Sequence, residues 1–221
     1  MFSVSLRAID CQKHLSVVRF SHFCLVDQGQ MYVYDSANRR VQSFPFTTLA
    51  GSPNGTTILG ESLLDSDRNK PISVAGMTFD RIRHLLYLYN SVNDHLLILN
   101  TTENNIEITN DTGLSLTNSS ILIRPCAIAI DEASNSFYVS DSLFGIVAKF
   151  DIGSTTGTVV AGGMINNLLF NQLILPGGLA LDSSGYLYIA DFHLNKVVQL
   201  LNDNGELRTI AGDLYQSYSC I

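Results

Sequence analysis

The chain has 221 residues, 46% of them hydrophobic and 15% charged, with a mean hydropathy of +0.18. These values predict one globular domain that buries roughly 70% of the unfolded surface, and they exclude disordered and collagen-like chains. The formal charge is −7, and because residues 84–221 carry thirteen acidic and only four basic side chains, this larger part should repel phosphate and nucleic acid.

Residues 1–20 form an N-terminal segment that lies before the repeats described below. This segment has no compact apolar stretch after a basic start, as a secretory signal would have. No apolar run in the chain approaches the roughly 20 residues of a membrane span. If Met1 is the true start we expect a cytoplasmic protein, whereas a fragment of a secreted protein would be extracellular.

Four tetrapeptides with tyrosine in second place recur at spacings of 55, 51 and 50 residues. They are Met31-Tyr32-Val33-Tyr34, Leu86-Tyr87-Leu88-Tyr89, Phe137-Tyr138-Val139-Ser140 and Leu187-Tyr188-Ile189-Ala190. Each follows a shorter apolar run that ends in Asp, and each precedes another apolar segment that starts at Val41, Leu96, Val147 or Val197. A repeat with a period near 50 predicts a solenoid, a propeller or an array.

The spacing predicts four units of four short strands and a C-terminal tail at residues 214–221. The units cover about residues 21–51, 71–110, 125–163 and 175–213. Turn formers such as Gln28-Gly29 and Ser183-Ser184-Gly185 predict antiparallel hairpins. The second strand of each unit is apolar on both faces, so each sheet must be covered on both sides. We therefore predict an all-β propeller of four-stranded antiparallel blades, with at most one helical turn, around residues 165–172.

The last unit resembles the NHL repeat. The resemblance rests on Pro176-Gly177-Gly178-Leu179-Ala180-Leu181-Asp182, on Gly185-Tyr186-Leu187-Tyr188-Ile189-Ala190-Asp191, on Asn195-Lys196-Val197-Val198-Gln199 and on Thr209-Ile210-Ala211-Gly212. The first unit fits the same pattern over residues 35–42, and the second and third units fit it less well. NHL propellers usually have six blades, so four repeats imply an open or incomplete ring whose free blade edges could self-associate. Tighter closure of four blades, or a decayed fifth blade within residues 1–20, are the alternatives.

Polar residues that recur after the second strand of each unit are expected to be structural. They are Asp35, Asn90, Asp141 and Asp191, and a side chain there can accept hydrogen bonds from the amides of the next turn. The resemblance implies that Arg40 and Lys196 make hydrogen bonds or ion pairs between blades. The alternative for the acids is a divalent cation in a central channel, but no single loop supplies several oxygen ligands. We expect no metal and no cofactor.

The sequence lacks the patterns of common enzyme active sites. Its five histidines are scattered without metal-binding spacing, and no nucleophile elbow, phosphate loop or dinucleotide motif follows a strand. We therefore expect no catalytic residues and a non-enzymatic protein. A propeller lyase or hydrolase with a metal in its central channel is the alternative.

Protein binding is the predicted function, with an unidentified partner. The turns between the second and third strands of a propeller share one face, and the residues predicted to bind there are Arg39, Asp94, Phe144, Phe192 and His193. The connections at residues 52–70, 110–124 and 163–175 would add surface to that face. Aromatic packing between blades is the alternative for the two phenylalanines. The NHL resemblance implies a recognition module, so the second reading is a substrate-recognition or RNA-binding part of a tripartite-motif ubiquitin ligase.

Two groups of residues depend on the compartment. Cys11, Cys24, Cys126 and Cys220 form no CxxC pair, and isolated thiols are favoured over one bridge such as Cys11 to Cys220. Glycosylation sequons occur at Asn54, Asn100, Asn110 and Asn118. They matter only if the chain is exported.

Overall fold

The computed structural model describes nine stretches of the chain. They are residues 20–27, 30–45, 55–60, 73–91, 94–101, 107–116, 122–163, 173–203 and 205–212. The chain divides into two compact units, Met1–Pro71 and Ile72–Ile221. The described residues form strands and turns without helices, so the predicted all-β fold is confirmed. The helical turn predicted around residues 165–172 lies outside the described residues.

The strands form four sheets, and the order within each repeat unit follows the chain. The first sheet, in the first compact unit, contains β1 (Phe20–Asp27), β2 (Gln30–Asp35), β3 (Arg40–Pro45) and β4 (Thr56–Leu59). The second contains β5 (Val74–Asp80), β6 (Leu85–Asn90), β7 (His95–Asn100) and β8 (Glu107–Gly113), and it is followed by β9 (Ser115–Leu116). The third contains β10 (Pro125–Asp131), β11 (Ser136–Asp141), β12 (Ile146–Asp151) and β13 (Thr156–Gly162). The fourth contains β14 (Pro176–Leu181), β15 (Leu187–Asp191), β16 (Lys196–Leu200) and β17 (Leu207–Ala211).

The third sheet has a fifth strand that the sequence did not predict. The connection expected to start at Asn110 is strand up to Gly113, and β9 then pairs parallel with the start of β13. The Ser115 amide donates to the Thr155 carbonyl at 2.9 Å. The polar side chains of this stretch predict a loop. Its backbone nevertheless pairs with the free edge of an outer strand, and side-chain polarity does not reveal such backbone pairing.

Two apolar layers fill the spaces between the three sheets of the second compact unit. The layer between the second and third sheets contains Tyr87, Phe137 and Phe150, and the last two rings stack with centroids 5.1 Å apart. The layer between the third and fourth sheets includes Tyr138 and Val147 of the third sheet. Successive side chains of a strand point to opposite faces, so β11 supplies Phe137 to one layer and Tyr138 to the other. The third sheet is therefore buried on both sides, as predicted.

Polar contacts join the same sheets at their exposed margins. Arg81, in the turn after β5, pairs with Glu132 in the turn after β10, with Nε 3.3 Å from Oε1. Lys149 of β12 pairs with Asp203, which follows β16, with Nζ 2.8 Å from Oδ2. Because these pairs are partly exposed, each contributes at most about 1 kcal/mol to stability.

Truncation of Phe137 should test the first apolar layer. We expect Phe137→Ala to lower the free energy of unfolding by about 4 kcal/mol, because it removes a buried ring that stacks on Phe150. Denaturant titration followed by circular dichroism measures the change. The control is Ile82→Ala, which truncates an exposed side chain and should change stability by less than about 0.5 kcal/mol. Similar losses for both variants would contradict this packing.

Candidate functional site

A buried carboxylate ends the second strand of the third sheet. Asp141 is 0% exposed. Its Oδ1 accepts hydrogen bonds from the amides of Leu143 and Phe144 at 2.8 and 3.0 Å, in the turn that follows. Its Oδ2 accepts from the amides of Ile123 and Arg124 at 2.7 and 3.1 Å, in the segment that leads into β10. One side chain thus holds two separate backbone segments together.

Asp191 repeats this arrangement in the fourth sheet. Its Oδ1 accepts from the amides of His193 and Leu194, both at 3.0 Å. The Ile174 amide donates to Oδ2 at 2.7 Å, and the Leu175 amide donates to Oδ1 at 3.3 Å. The amides of the turn are the donors that the sequence predicts, whereas the amides of the segment before the first strand are additional donors.

A sequence signal for the missed contacts exists in hindsight. Both segments end in a proline, in Ile123-Arg124-Pro125 and Ile174-Leu175-Pro176. Each proline lies opposite its aspartate in the strand register and has no amide to donate. The two residues before it supply the donors instead.

The first two sheets vary this pattern. Asp35 Oδ2 lies 3.1 Å from Arg40 Nε, and Asp35 also accepts from the backbone and side chain of Asn38. This ion pair lies within one sheet, and the contact between blades that the NHL resemblance implies for Arg40 stays a prediction. Asn90 is buried at the corresponding position of the second sheet, and Lys196 lies opposite Asp191 in the register of the fourth.

Large apolar side chains are exposed around the two carboxylates. Six of the ten exposed large hydrophobic residues in the described part of the chain lie there: Ile123, Leu143, Phe144, Ile174, Leu175 and Phe192. All six belong either to the segment before a first strand or to the turn after a second strand, so they share one end of the third and fourth sheets. We call this surface the apolar end. Phe144 is 44% exposed and Phe192 is 65% exposed.

Close backbone approaches connect the two halves of the apolar end. A β-carbon at Gly145, where φ is 60°, would lie 2.5 Å from the Leu173 carbonyl oxygen. The turn of the third sheet therefore touches the segment that enters the fourth. The Phe192 ring lies over Gly177 and leaves no room for a β-carbon there. The Phe192 amide donates to the Leu175 carbonyl at 3.0 Å, so both turn and ring are fixed against this segment.

The structure brings together some of the predicted binding residues. Phe144, Phe192 and His193 are exposed at the apolar end. Asp94 ends the corresponding turn of the second sheet with φ 57°; burial raises its pKa, and the charge of Asp141 raises it further. Arg39 is exposed in the first compact unit with φ 53°. Arg39 and Asp94 occupy the left-handed last position of their turns, where the third sheet has glycine.

Two buried tyrosines are unusual because their hydroxyls have no hydrogen-bond partner among the described residues. They are Tyr87 and Tyr89 of β6, and both face the third sheet in the first apolar layer. Burial raises the pKa of both phenols, and the charges of Asp94 and Asp141 add to the effect on Tyr89. They remain neutral and act as packing residues.

The described residues contain no group of three or more His, Cys, Asp or Glu side chains suited to a metal ion. The metal-dependent alternative therefore finds no ligand set in this part of the chain. Nor is there, within the same residues, a helix long and apolar enough to cross a membrane.

Few of the cysteines and sequon asparagines have described side chains. Cys126 is a half-buried free thiol, and Asn100 is half-buried at the end of β7. The side chains of the remaining ones lie outside the described residues: Cys11, Cys24, Cys220, Asn54, Asn110 and Asn118. The predictions about disulfides and glycosylation therefore stay predictions.

Removal of the Asp141 carboxylate should loosen the apolar end. We expect Asp141→Ala to lower the free energy of unfolding by about 3 kcal/mol, because four amides lose a charged acceptor. Hydrogen exchange at Ile123, Arg124, Leu143 and Phe144 should accelerate. The control is Asp203→Ala, which removes a partly exposed ion pair and should cost less than about 1 kcal/mol. Unchanged exchange at these four amides would contradict the proposed role.

The comparisons with known proteins support a propeller. The chain is similar to a protein in the crystal structure of a nidogen/laminin complex, with 20% identity and a TM-score of 0.58 over 88% of this chain and 64% of that one. It is also similar to the structure of streptogramin B lyase, with 13% identity and a TM-score of 0.55 over 85% of this chain and 53% of that one. The chain thus spans less than two thirds of each, and these identities establish the fold alone.

The sequence comparisons identify the family. No curated protein matches the chain. Residues 101–212, half of the chain, match the family described as the SMP-30/Gluconolactonase/LRE-like region. The predicted propeller relationship is confirmed at this level, while the specific resemblance to NHL repeats stays a prediction. The chain belongs to the SMP-30/gluconolactonase/LRE-like β-propeller family.

Proposed function

We propose that this protein is a non-enzymatic binding module that contacts a protein partner through its apolar end. One observation carries the proposal: the backbone amides around these exposed apolar side chains are the ones that Asp141 and Asp191 fix. An exposed apolar patch on a soluble protein is costly unless a partner covers it. Here the patch is exposed and its backbone is held rigid at the same time.

The composition of the surface also supports a protein partner. Phe144 and Phe192 are exposed aromatic residues, and Arg124 and His193, in the same segments and turns, are exposed as well. Aromatic and arginine side chains dominate binding energy at protein interfaces, and a fixed backbone lowers the entropy cost of association. The solved nidogen/laminin structure is a complex of proteins, which adds support from a similar fold.

Selection of peptide ligands tests the proposal. A phage-displayed random peptide library is first depleted on the Phe144→Ala/Phe192→Ala double variant and then enriched on the unchanged protein. The enriched peptides are synthesised, and their affinities are measured by isothermal titration calorimetry. We expect each single Phe→Ala variant to weaken binding by about tenfold or more, since a hot-spot aromatic contributes at least 1.4 kcal/mol.

Two further variants distinguish a specific surface from general stickiness. Gly177→Ala keeps every apolar side chain but must displace the Phe192 ring, so it should weaken binding almost as much as Phe192→Ala. Ile82→Ala removes an equally exposed apolar side chain in the turn after β5 and should leave binding unchanged. If no peptide is enriched, or if the enriched peptides bind all variants equally, the proposal is wrong.

Lactone hydrolysis is a second candidate, favoured by the match of half of the chain to a family whose description includes gluconolactonase. The test is the rate of acid release from D-glucono-1,5-lactone, followed in a pH-stat with magnesium, calcium or zinc and again with chelator. Metal-dependent hydrolysis above the spontaneous rate would favour the enzyme, with ligands from outside the described residues. Hydrolysis at the spontaneous rate with every metal would remove this candidate without affecting the peptide experiment.

A further inference from the structure

The fourth sheet has a face whose counterpart in the third sheet is core. In the third sheet the apolar residues of this face include Ala129, Tyr138, Val147, Val160 and Ala161, and all five are buried against the fourth sheet. The strand registers of the two sheets align, so the corresponding residues of the fourth sheet are Ala180, Tyr188, Val197, Ile210 and Ala211. We call these five residues the outer face.

The outer face keeps the apolar character of its counterpart but lacks its burial. Valine is present in both sheets at the position of Val147 and Val197, and it is 0% exposed in the third sheet but half-buried in the fourth. Ile210 is 46% exposed where Val160 is buried, and Ala180 and Ala211 are exposed. The side chains suit a sheet that is covered on both sides, yet one side is open.

A row of polar side chains crosses this face from one edge of the sheet to the other. The Tyr188 hydroxyl donates to Asp182 Oδ2 at 3.0 Å, and Gln199 Nε2 donates to the Tyr188 hydroxyl at 3.4 Å. Arg208 Nη2 in turn donates to Gln199 Oε1. The row therefore begins with a carboxylate beyond β14 and ends with a guanidinium on β17, and both are exposed.

We propose that the outer face is a docking surface for the outer face of a second copy of this chain. A two-fold axis parallel to the strands, midway between β15 and β16, places Arg208 of each copy opposite Asp182 of the other. The same axis brings the apolar side chains of the two copies together. The charge pattern is thus self-complementary under the symmetry that homodimers most often use.

The extent of the face predicts a weak dimer. Four strands about 4.8 Å apart, each with about five residues in contact, cover roughly 300 Å² per copy. Stable interfaces bury about 800 Å² per partner. We expect dissociation constants between about 10 µM and 1 mM. The surface differs from the apolar end and does not depend on the proposed function.

Sedimentation velocity from about 1 µM to 1 mM protein tests the proposal across this range of affinity. We expect a reversible monomer–dimer equilibrium for the unchanged protein. Ile210→Glu and Arg208→Glu should each weaken dimerisation at least tenfold, since they place a charge in the apolar contact or an acid opposite Asp182. Arg208→Lys should retain dimerisation because it keeps the charge.

Two control variants show that the effect belongs to this face. Ile82→Glu adds the same charge at another exposed isoleucine, and Phe192→Ala alters the apolar end; both should dimerise like the unchanged protein. Circular dichroism and the unfolding midpoint must show that each variant is folded. A monomer at every concentration, or a dimer that both glutamate variants leave intact, would overturn the proposal.

Discussion

A β-strand that is apolar on both faces constrains everything around it, because neither face tolerates water. The second strands β6 and β11 have this character, with every residue from Leu86 to Asn90 and from Ser136 to Asp141 buried. A sheet built around such a strand must lie between two other layers. In the second compact unit the third sheet meets this requirement through one apolar layer on each side, and the layer shared with the second sheet contains the stacked Phe137 and Phe150 rings. Repetition of the same unit is a simple way to supply those layers, since each sheet then covers its neighbour.

The buried aspartates convert this stacking into a defined surface. A carboxylate at 0% exposure, as in Asp141, is tolerated only when its oxygens are fully hydrogen-bonded. Here the donors are backbone amides from two segments that are distant in sequence. The carboxylate needs these donors, and by binding them it fixes the two segments relative to each other. The side chains of the residues that donate these amides are therefore not needed to shield the backbone, and they point outward. Leu143, Phe144 and Ile174 can be exposed and apolar because the polar backbone beneath them is satisfied from inside.

The sequence predicted the parts of this structure that repeat. The period near 50, the tyrosine-bearing strands and the turn residues led to four sheets with the observed strand order, since each rests on local spacing. The side-chain contacts that tie these parts together were not predictable in the same way. The Lys149–Asp203 pair joins residues 54 positions apart, and the Ile123 amide reaches Asp141 only after the chain has formed a hairpin. The ion pair of Arg40 with Asp35 was not predictable either, because the pattern of a repeat does not say whether a charge turns toward its own sheet or the next. The predicted end of strand β8 came too early for a related reason. Its side chains are polar, and side-chain polarity does not show that the backbone is paired.

Equivalent residues acquire different roles depending on what lies beside their sheet. Val147 and Val197 occupy the same register position, and Lys149 and Gln199 occupy another. In the third sheet this face is core, and Lys149 reaches across to an acid of the next sheet. In the fourth sheet the same face carries a row of hydrogen-bonded polar side chains that contains Tyr188, Gln199 and Arg208. The side chains of this row satisfy one another's hydrogen bonds, whereas the apolar side chains around them stay exposed. Burial of those apolar side chains would therefore drive the proposed association, and the charges at the two ends of the row would set the orientation of the two copies. The outer face is thus the position where a unit that is covered on both sides in the third sheet leaves its apolar side chains exposed in the fourth.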